Sequence, residues 1–100
     1  MTRNLASEFA LRKIRVNQVT PGATRTPIWS QITPTEDAER ELEQRVSQTI
    51  PRGRFSEADE VAKAALYLAS DDSSILTGIE IVVDGGATSA PHGAPILQRG

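Results

Sequence analysis

The run Ile79-Glu80-Ile81-Val82-Val83 constrains the fold more than any other segment of this 100-residue chain. Four of its five residues are β-branched, Gly78 precedes it and Asp84-Gly85-Gly86 stops it, so it reads as a strand over 79 to 84. A second strand is expected over 14 to 20. There Ile14 and Val16 alternate with polar residues before Val19 breaks the period, and Pro21 stops the run. Helical patterns fill the sequence between the two. Strands joined through helices form a β-α-β unit, with parallel strands and a right-handed crossover. The expected class is α/β. At this length the chain is one domain at most, burying roughly two thirds of its unfolded surface, and it fits equally as part of a larger domain.

Residues 2 to 11 place Leu5 and Phe9 four apart beside Ala6 and Ala10, the stripe of an amphipathic helix. No capping box precedes that stripe, so the helix is expected to have earlier turns upstream of Met1. The stretch 20 to 34 holds three prolines and reads as a loop. Residues 35 to 50 carry Ala38, Leu42, Val46 and Ile50 at four-residue spacing, with Glu36/Arg40 and Glu41/Arg45 as i,i+4 pairs. So thin a stripe covers a surface and fills no core, and the Pro-rich arm before it lets the helix move. After the turn Pro51-Arg52-Gly53-Arg54, Ser56-Glu57-Ala58-Asp59 is expected to cap a helix over 57 to 70, apolar at Val61, Ala65, Leu68 and Ala69. Asp71-Asp72-Ser73-Ser74 ends it. From Ala87 on, Ser, Pro and Gly dominate, and 87–100 reads as a tail without a fold of its own, with "APILQ" able to dock on a neighbour.

Charge and composition narrow the function. Eleven basic against thirteen acidic residues give net −2, which offers no basic field for nucleic acid or for an anionic membrane. The absence of cysteine excludes disulfides, thiolate catalysis and zinc-finger ligation. His92 lies in the tail without a neighbouring ligand, and Asp84 and Asp71-Asp72 read as a turn and a solvated helix stop, so no metal site is expected. The first residues match neither a signal peptide nor a membrane span, and a cytoplasmic location is the expectation. Tyr67, the only tyrosine, has Ser70 and Asp71 three and four residues on and nothing nearby to lower its pKa, so it reads as core or interface packing. Gly85-Gly86 follows a strand with no helix after it, which is not a phosphate loop.

The segment Pro21-Gly22-Ala23-Thr24-Arg25-Thr26 stands at a strand's carboxyl end, where open parallel sheets bind ligands. Gly22 lets a ligand approach the backbone, Pro21 offers an apolar ring face, and Thr24 and Thr26 offer amides and hydroxyls to a flat polar group such as a carboxamide. A strand ending in Pro-Gly is also a common turn, so from these residues alone both readings stand.

Taken in order, "RVNQVTPGATRTP" (15 to 27), "IPRGRFSEADEVAKAALYLASD" (50 to 71), "TG" (77 to 78) and "VDGG" (83 to 86) resemble the C-terminal part of the short-chain dehydrogenase/reductase family. The resemblance implies that residues 1–86 are the C-terminal portion of a doubly wound Rossmann-type parallel sheet. It also implies that the two strands are the last of seven. By the same resemblance the chain contributes to an oxidoreductase using NAD or NADP on a small-molecule carbonyl or alcohol. Pro21 and Gly22 would line the nicotinamide, Thr24 would meet its carboxamide through the backbone, and Thr26 would add its hydroxyl. The region of about 28 to 50 would close over substrate, and helix 57 to 70 with strand 79 to 84 would form the face of a homo-oligomer. The family's Gly-rich loop, catalytic serine and Tyr-x-x-x-Lys pair have no counterpart in this sequence. No catalytic residue is therefore assigned, and the chain as given is expected to be inactive alone. The alternative is a non-catalytic truncated chain or an interaction module using the family's oligomerisation surface. Arg52 departs from the pattern, since an apolar residue usually separates that proline and glycine.

Overall fold

The structure is a computed structural model and describes residues 1–98. Its centre is a parallel pair, β1 (Gln18–Pro21) with β4 (Glu80–Val83), in register from Gln18 opposite Glu80 to Pro21 opposite Val83. The α/β class expected from the sequence is observed. β1 starts four residues later than expected, because residues 14–17 run beside a turn. Gly78 donates its N–H to the Val16 carbonyl (2.8 Å), Val16 donates to the Thr77 hydroxyl (3.2 Å), and Ile79 donates to Asn17 Oδ1 (3.1 Å). Side chains therefore complete the pairing where no regular ladder exists. Pro21, which has no N–H to give, takes the last place in its strand.

A second parallel pair was not foreseen. β2 (Thr24–Arg25) pairs with β3 (Ser56–Glu57), inside a region read from sequence as loop and cap. The Ser56 N–H donates to the Ala23 carbonyl at 2.9 Å. The expected loop 20 to 34 also contains a short helix, α2 (Ile28–Ile32). Two residues per strand carry no periodicity, so this pairing is decided by tertiary contact.

Helix α1 (Thr2–Phe9) tightens into a 3-10 turn over Ala10–Arg12 and ends at Lys13, whose φ of 60° lies in the left-handed region. Helix α3 (Glu36–Ser47) is capped by the Thr35 hydroxyl, which accepts the Ala38 N–H at 3.0 Å. None of its residues is buried. Ala38, Leu42 and Val46 are half-buried, and Ile50, past its end, is the buried member of the stripe. Arg40 pairs with Asp37 at 2.7 Å and not with Glu36, while Arg45 lies 3.7 Å from Glu41.

Helix α4 (Ala58–Ala69) starts from Glu57, not Ser56, because Ser56 is engaged in β3. Glu60 Oε1 accepts the Glu57 N–H at 2.9 Å and also receives Arg54 Nη1 at 2.7 Å. Arg54, and then the Glu57 amide, pull the Glu60 carboxyl down to about 2. Of the four apolar positions read along this helix, only Leu68 is buried; Val61 is half-buried, and Ala65 and Ala69 are exposed. The far end of α4 is gathered by Arg15. Its guanidinium donates to the carbonyls of Leu68 (2.9 Å), Ser70 (3.3 Å), Ser73 (3.0 Å) and Leu76 (3.2 Å), a cation on orphan carbonyls at a helix C-terminus.

The radius of gyration is 16.9 Å, against about 13 Å for a compact 100-residue domain. The chain is elongated, 52 × 33 × 23 Å, and its buried apolar residues are few: Ala6, Ile50, Phe55, Leu68 and Ala94. Ala94 opens the "APILQ" stretch read from the sequence as able to dock on a neighbour, and its burial comes from such docking on the end of α3. Residues Pro91–Gly93 form a 3-10 turn, α5 (Pro95–Gln98) follows, and Ile96 donates its N–H to the Gln48 carbonyl at 3.3 Å. The last two residues of the expected tail lie outside the described residues.

Candidate functional site

The carboxyl ends of β1 and β4 meet at Gly22 and Asp84. Gly22 donates its N–H to the Val83 carbonyl at 2.9 Å, carrying the ladder one place beyond Pro21. A Cβ at Gly22 would lie 2.5 Å from the Asp84 Cβ and 3.0 Å from its Cα, so only glycine admits this approach. The sequence reading gave the space at Gly22 to a ligand; the structure gives it to the chain's own Asp84. Asp84 is buried, and its two carboxylate oxygens accept the N–H groups of Gly86 (2.9 Å) and Thr88 (2.9 Å). Hydrogen bonding from the Thr88 side chain first, and from the backbone of Thr88, Gly86 and Ala87 after it, holds that carboxyl below its ordinary range despite burial. The turn after β4 is thus a rigid abutment for the loop after β1.

Beyond Gly22 the loop is fixed from the other side. The Thr24 hydroxyl donates to the Gly22 carbonyl (3.0 Å), and Trp29 Nε1 donates to the Thr24 carbonyl (2.7 Å). The Trp29 ring packs at 5.0 Å and 46° against Phe55, which is 2% exposed. The Thr26 carbonyl accepts the Trp29 N–H at 3.3 Å, and Thr26 is half-buried. Arg25 points away from the strand end and pairs with Glu57 (3.0 Å) and with Glu43 of α3, first the Glu43 and then the Glu57 bond raising its already high pKa.

The four predicted binding residues, Pro21, Gly22, Thr24 and Thr26, therefore lie on one six-residue segment held at both ends, with Pro21 and Gly22 exposed. Thr20 belongs elsewhere. Its hydroxyl donates to Glu80 Oε2 at 2.7 Å, on the sheet face shared with Gln18. Sequence reasoning missed Trp29, Phe55 and Asp84 as the residues that position the loop. The only tryptophan, three residues after Thr26, was the available signal. Chemically, the segment presents a ring face, a carbonyl with a spare lone pair and a hydroxyl, a set suited to a flat amide-bearing ring. Among the described residues no group of three His, Asp or Glu side chains is arranged to hold a metal ion, and no helix is long and apolar enough to cross a membrane.

Known proteins share this fold over most of the chain. A family model described as enoyl-(acyl carrier protein) reductase matches residues 1–88. The 4-formylbenzenesulfonate dehydrogenase TsaC1/TsaC2 of Comamonas testosteroni is 44% identical over 86 residues, covering 86% of this chain and 34% of that protein. Among solved structures, YwfH, an NADPH dependent reductase involved in bacilysin biosynthesis, matches with a TM-score of 0.76 at 30% identity, over 88% of this chain and 35% of that one. A short chain dehydrogenase family protein from Francisella tularensis matches with a TM-score of 0.79 at 31% identity, over 89% of this chain and 39% of that one. The chain thus spans about a third of the length of the curated relatives it matches. With a parallel pair, a Pro-Gly loop at its carboxyl end and these likenesses over nearly its whole length, the chain belongs to the short-chain dehydrogenase/reductase family and forms part of its Rossmann-type α/β domain.

Proposed function

We propose that Pro21, Gly22, Thr24 and Thr26 form the nicotinamide side of an NAD(P) site in an oxidoreductase acting on a small-molecule carbonyl or alcohol. The observation that carries this reading is the loop itself: a segment at the carboxyl end of a parallel pair, fixed by Gly22–Val83 and Thr24–Trp29 hydrogen bonds. The residues fit the group. Pro21 and Gly22 are exposed at the strand end, the Thr24 carbonyl accepts one hydrogen bond and has a second lone pair for an amide N–H, and Thr26 supplies a hydroxyl beside it. A bound nicotinamide supplies the hydride chemistry. This chain's residues bind and orient the ring, and none of them is assigned to proton transfer.

The segment from 28 to 50 is proposed as the substrate lid. Its long helix is only half-buried on one face and is tied to the loop by the Arg25–Glu43 pair, which lets lid position follow loop occupancy. Residues 1–86 are proposed as the C-terminal portion of the cofactor domain. Helix α4 and strand β4 are proposed as an oligomer face, supported by Leu66 and Tyr67, which are 69% and 44% exposed. The cytoplasm is the proposed location. Titration calorimetry of NADH and NADPH into the full encoded protein tests the reading: saturable binding of at least one supports it, and no binding of either contradicts it.

A further inference from the structure

The turn that ends the proposed lid is enclosed on two sides. On one side stands the exit of β4. The Arg52 N–H donates to the Gly85 carbonyl at 3.0 Å, and a Cβ at Gly85 would lie 2.7 Å from Ile50 Cγ2. On the other side stands the C-terminal segment. Ile96 donates its N–H to the Gln48 carbonyl at 3.3 Å, a Cβ at Gly93 would come within 3.5 Å of the Pro51 Cβ, and Ala94 is 2% exposed. Pro95 shares a cleft of about 560 Å³ with Gln44, Ser47 and Gln48 at the end of α3 and with Gly53 of the turn. At its start the lid is held by Trp29 on Thr24 and Phe55, while the joint before α3 has no cover: Ile32 is 62% exposed and Pro34 and Thr35 are exposed.

We propose that residues 90–97 are a clasp over the turn 48–53, pinning the C-terminal end of α3 so that the helix gives way at the uncovered joint around Pro34 before its N-terminus. The proposal rests on the lid reading for its functional meaning, while the clasp itself rests on the contacts above. Pinning one end converts a loosely held helix into a lever with a single hinge, because amides held by the turn open only when the clasp releases.

Hydrogen exchange in the full encoded protein tests it, comparing the native sequence with a chain ending at Ser89 and with Ala94→Glu. Stopping after Ser89 keeps Thr88, whose N–H holds Asp84. Both variants should speed exchange at Thr49, Ile50 and Gly53, whose N–H groups donate to the carbonyls of Val46, Ser47 and Ile50, by about tenfold or more. Gln18 and Gly22, bonded to Ile79 and Val83, should keep native rates. Native rates at 49, 50 and 53 in both variants would overturn the clasp. If the truncation also speeds Gln18 and Gly22, Ala94→Glu decides: acceleration confined to the turn supports the clasp, and acceleration at all five amides overturns it. These amides report whether or not NAD(P) binds, so failure of the clasp and failure of the cofactor reading are read separately.

Discussion

The loop from Pro21 to Thr26 and the helix α3 lie side by side, joined by Arg25, yet the chain treats them in opposite ways. In the loop, internal bonds fix the backbone: Gly22 to Val83, Thr24 to Trp29, Trp29 to Thr26. In α3 no residue is buried, and the Arg40–Asp37 pair sits in solvent with side chains 70% and 91% exposed, where such pairs add little. A binding surface needs atoms that stay in place when the ligand is absent, whereas a lid needs contacts weak enough to break on each passage. In the proposed reading the two regions divide those demands between them, and Arg25 joins them through Glu57 on the side of the loop and Glu43 on the proposed lid.

The contrast breaks most severely at Gly22. Gly22→Ala drives a methyl into Asp84, separating the two strand ends, and should cost about 1–3 kcal/mol of stability as well as cofactor affinity. Urea denaturation with an unchanged midpoint would show that the abutment is not tight. Trp29→Phe is gentler, because it keeps the ring against Phe55 and removes only the donor to Thr24. Its expected cost is about 1 kcal/mol, read as weaker NAD(P)H binding in calorimetry. A Leu42→Ala change in α3 serves as its control and should leave that binding unaltered.

The smallest effect is on pH. Glu60 has a folded pKa of about 2, below its ordinary 4.5, so its contribution is full above the ordinary value and is lost as pH falls toward 2. Asp84, also depressed, acts in the same direction. The denaturation midpoint should therefore fall between about pH 6 and pH 3, and Glu60→Gln should flatten part of that slope. The change is small, since the Arg54 and Glu60 side chains are 47% and 42% exposed. A slope identical in Glu60→Gln would remove Glu60 from the account.

What was legible in the sequence followed locality. β4 and α4 announce themselves through neighbours within a few residues: Gly78, Asp84-Gly85-Gly86 and the acids of the first helical turn. The loop that begins at Pro21-Gly22 was equally visible as a strand end, because Pro-Gly after a strand is a local pattern. Hidden features depend on partners far along the chain. Arg15 has no local use, and its five hydrogen bonds all go to residues from Leu68 to Leu76. β2 and β3 exist only because Thr24 and Ser56 meet, and Ala94 is buried only because the C-terminal segment folds back on the lid's end. At Gly22 too the partner was distant: the sequence offered a ligand for the space its missing side chain leaves, and the structure has Asp84 there.

The central claim is that the segment 21–26 holds a nicotinamide, and Thr26→Val tests it most directly, since the shape is kept and one hydroxyl is removed. Calorimetric titration of NADH and NADPH into the full encoded protein and into Thr26→Val should show binding weakened several-fold, on the order of 1 kcal/mol, with the melting temperature unchanged. Equal affinity in the two proteins would contradict the assignment of Thr26 and of the loop to the cofactor.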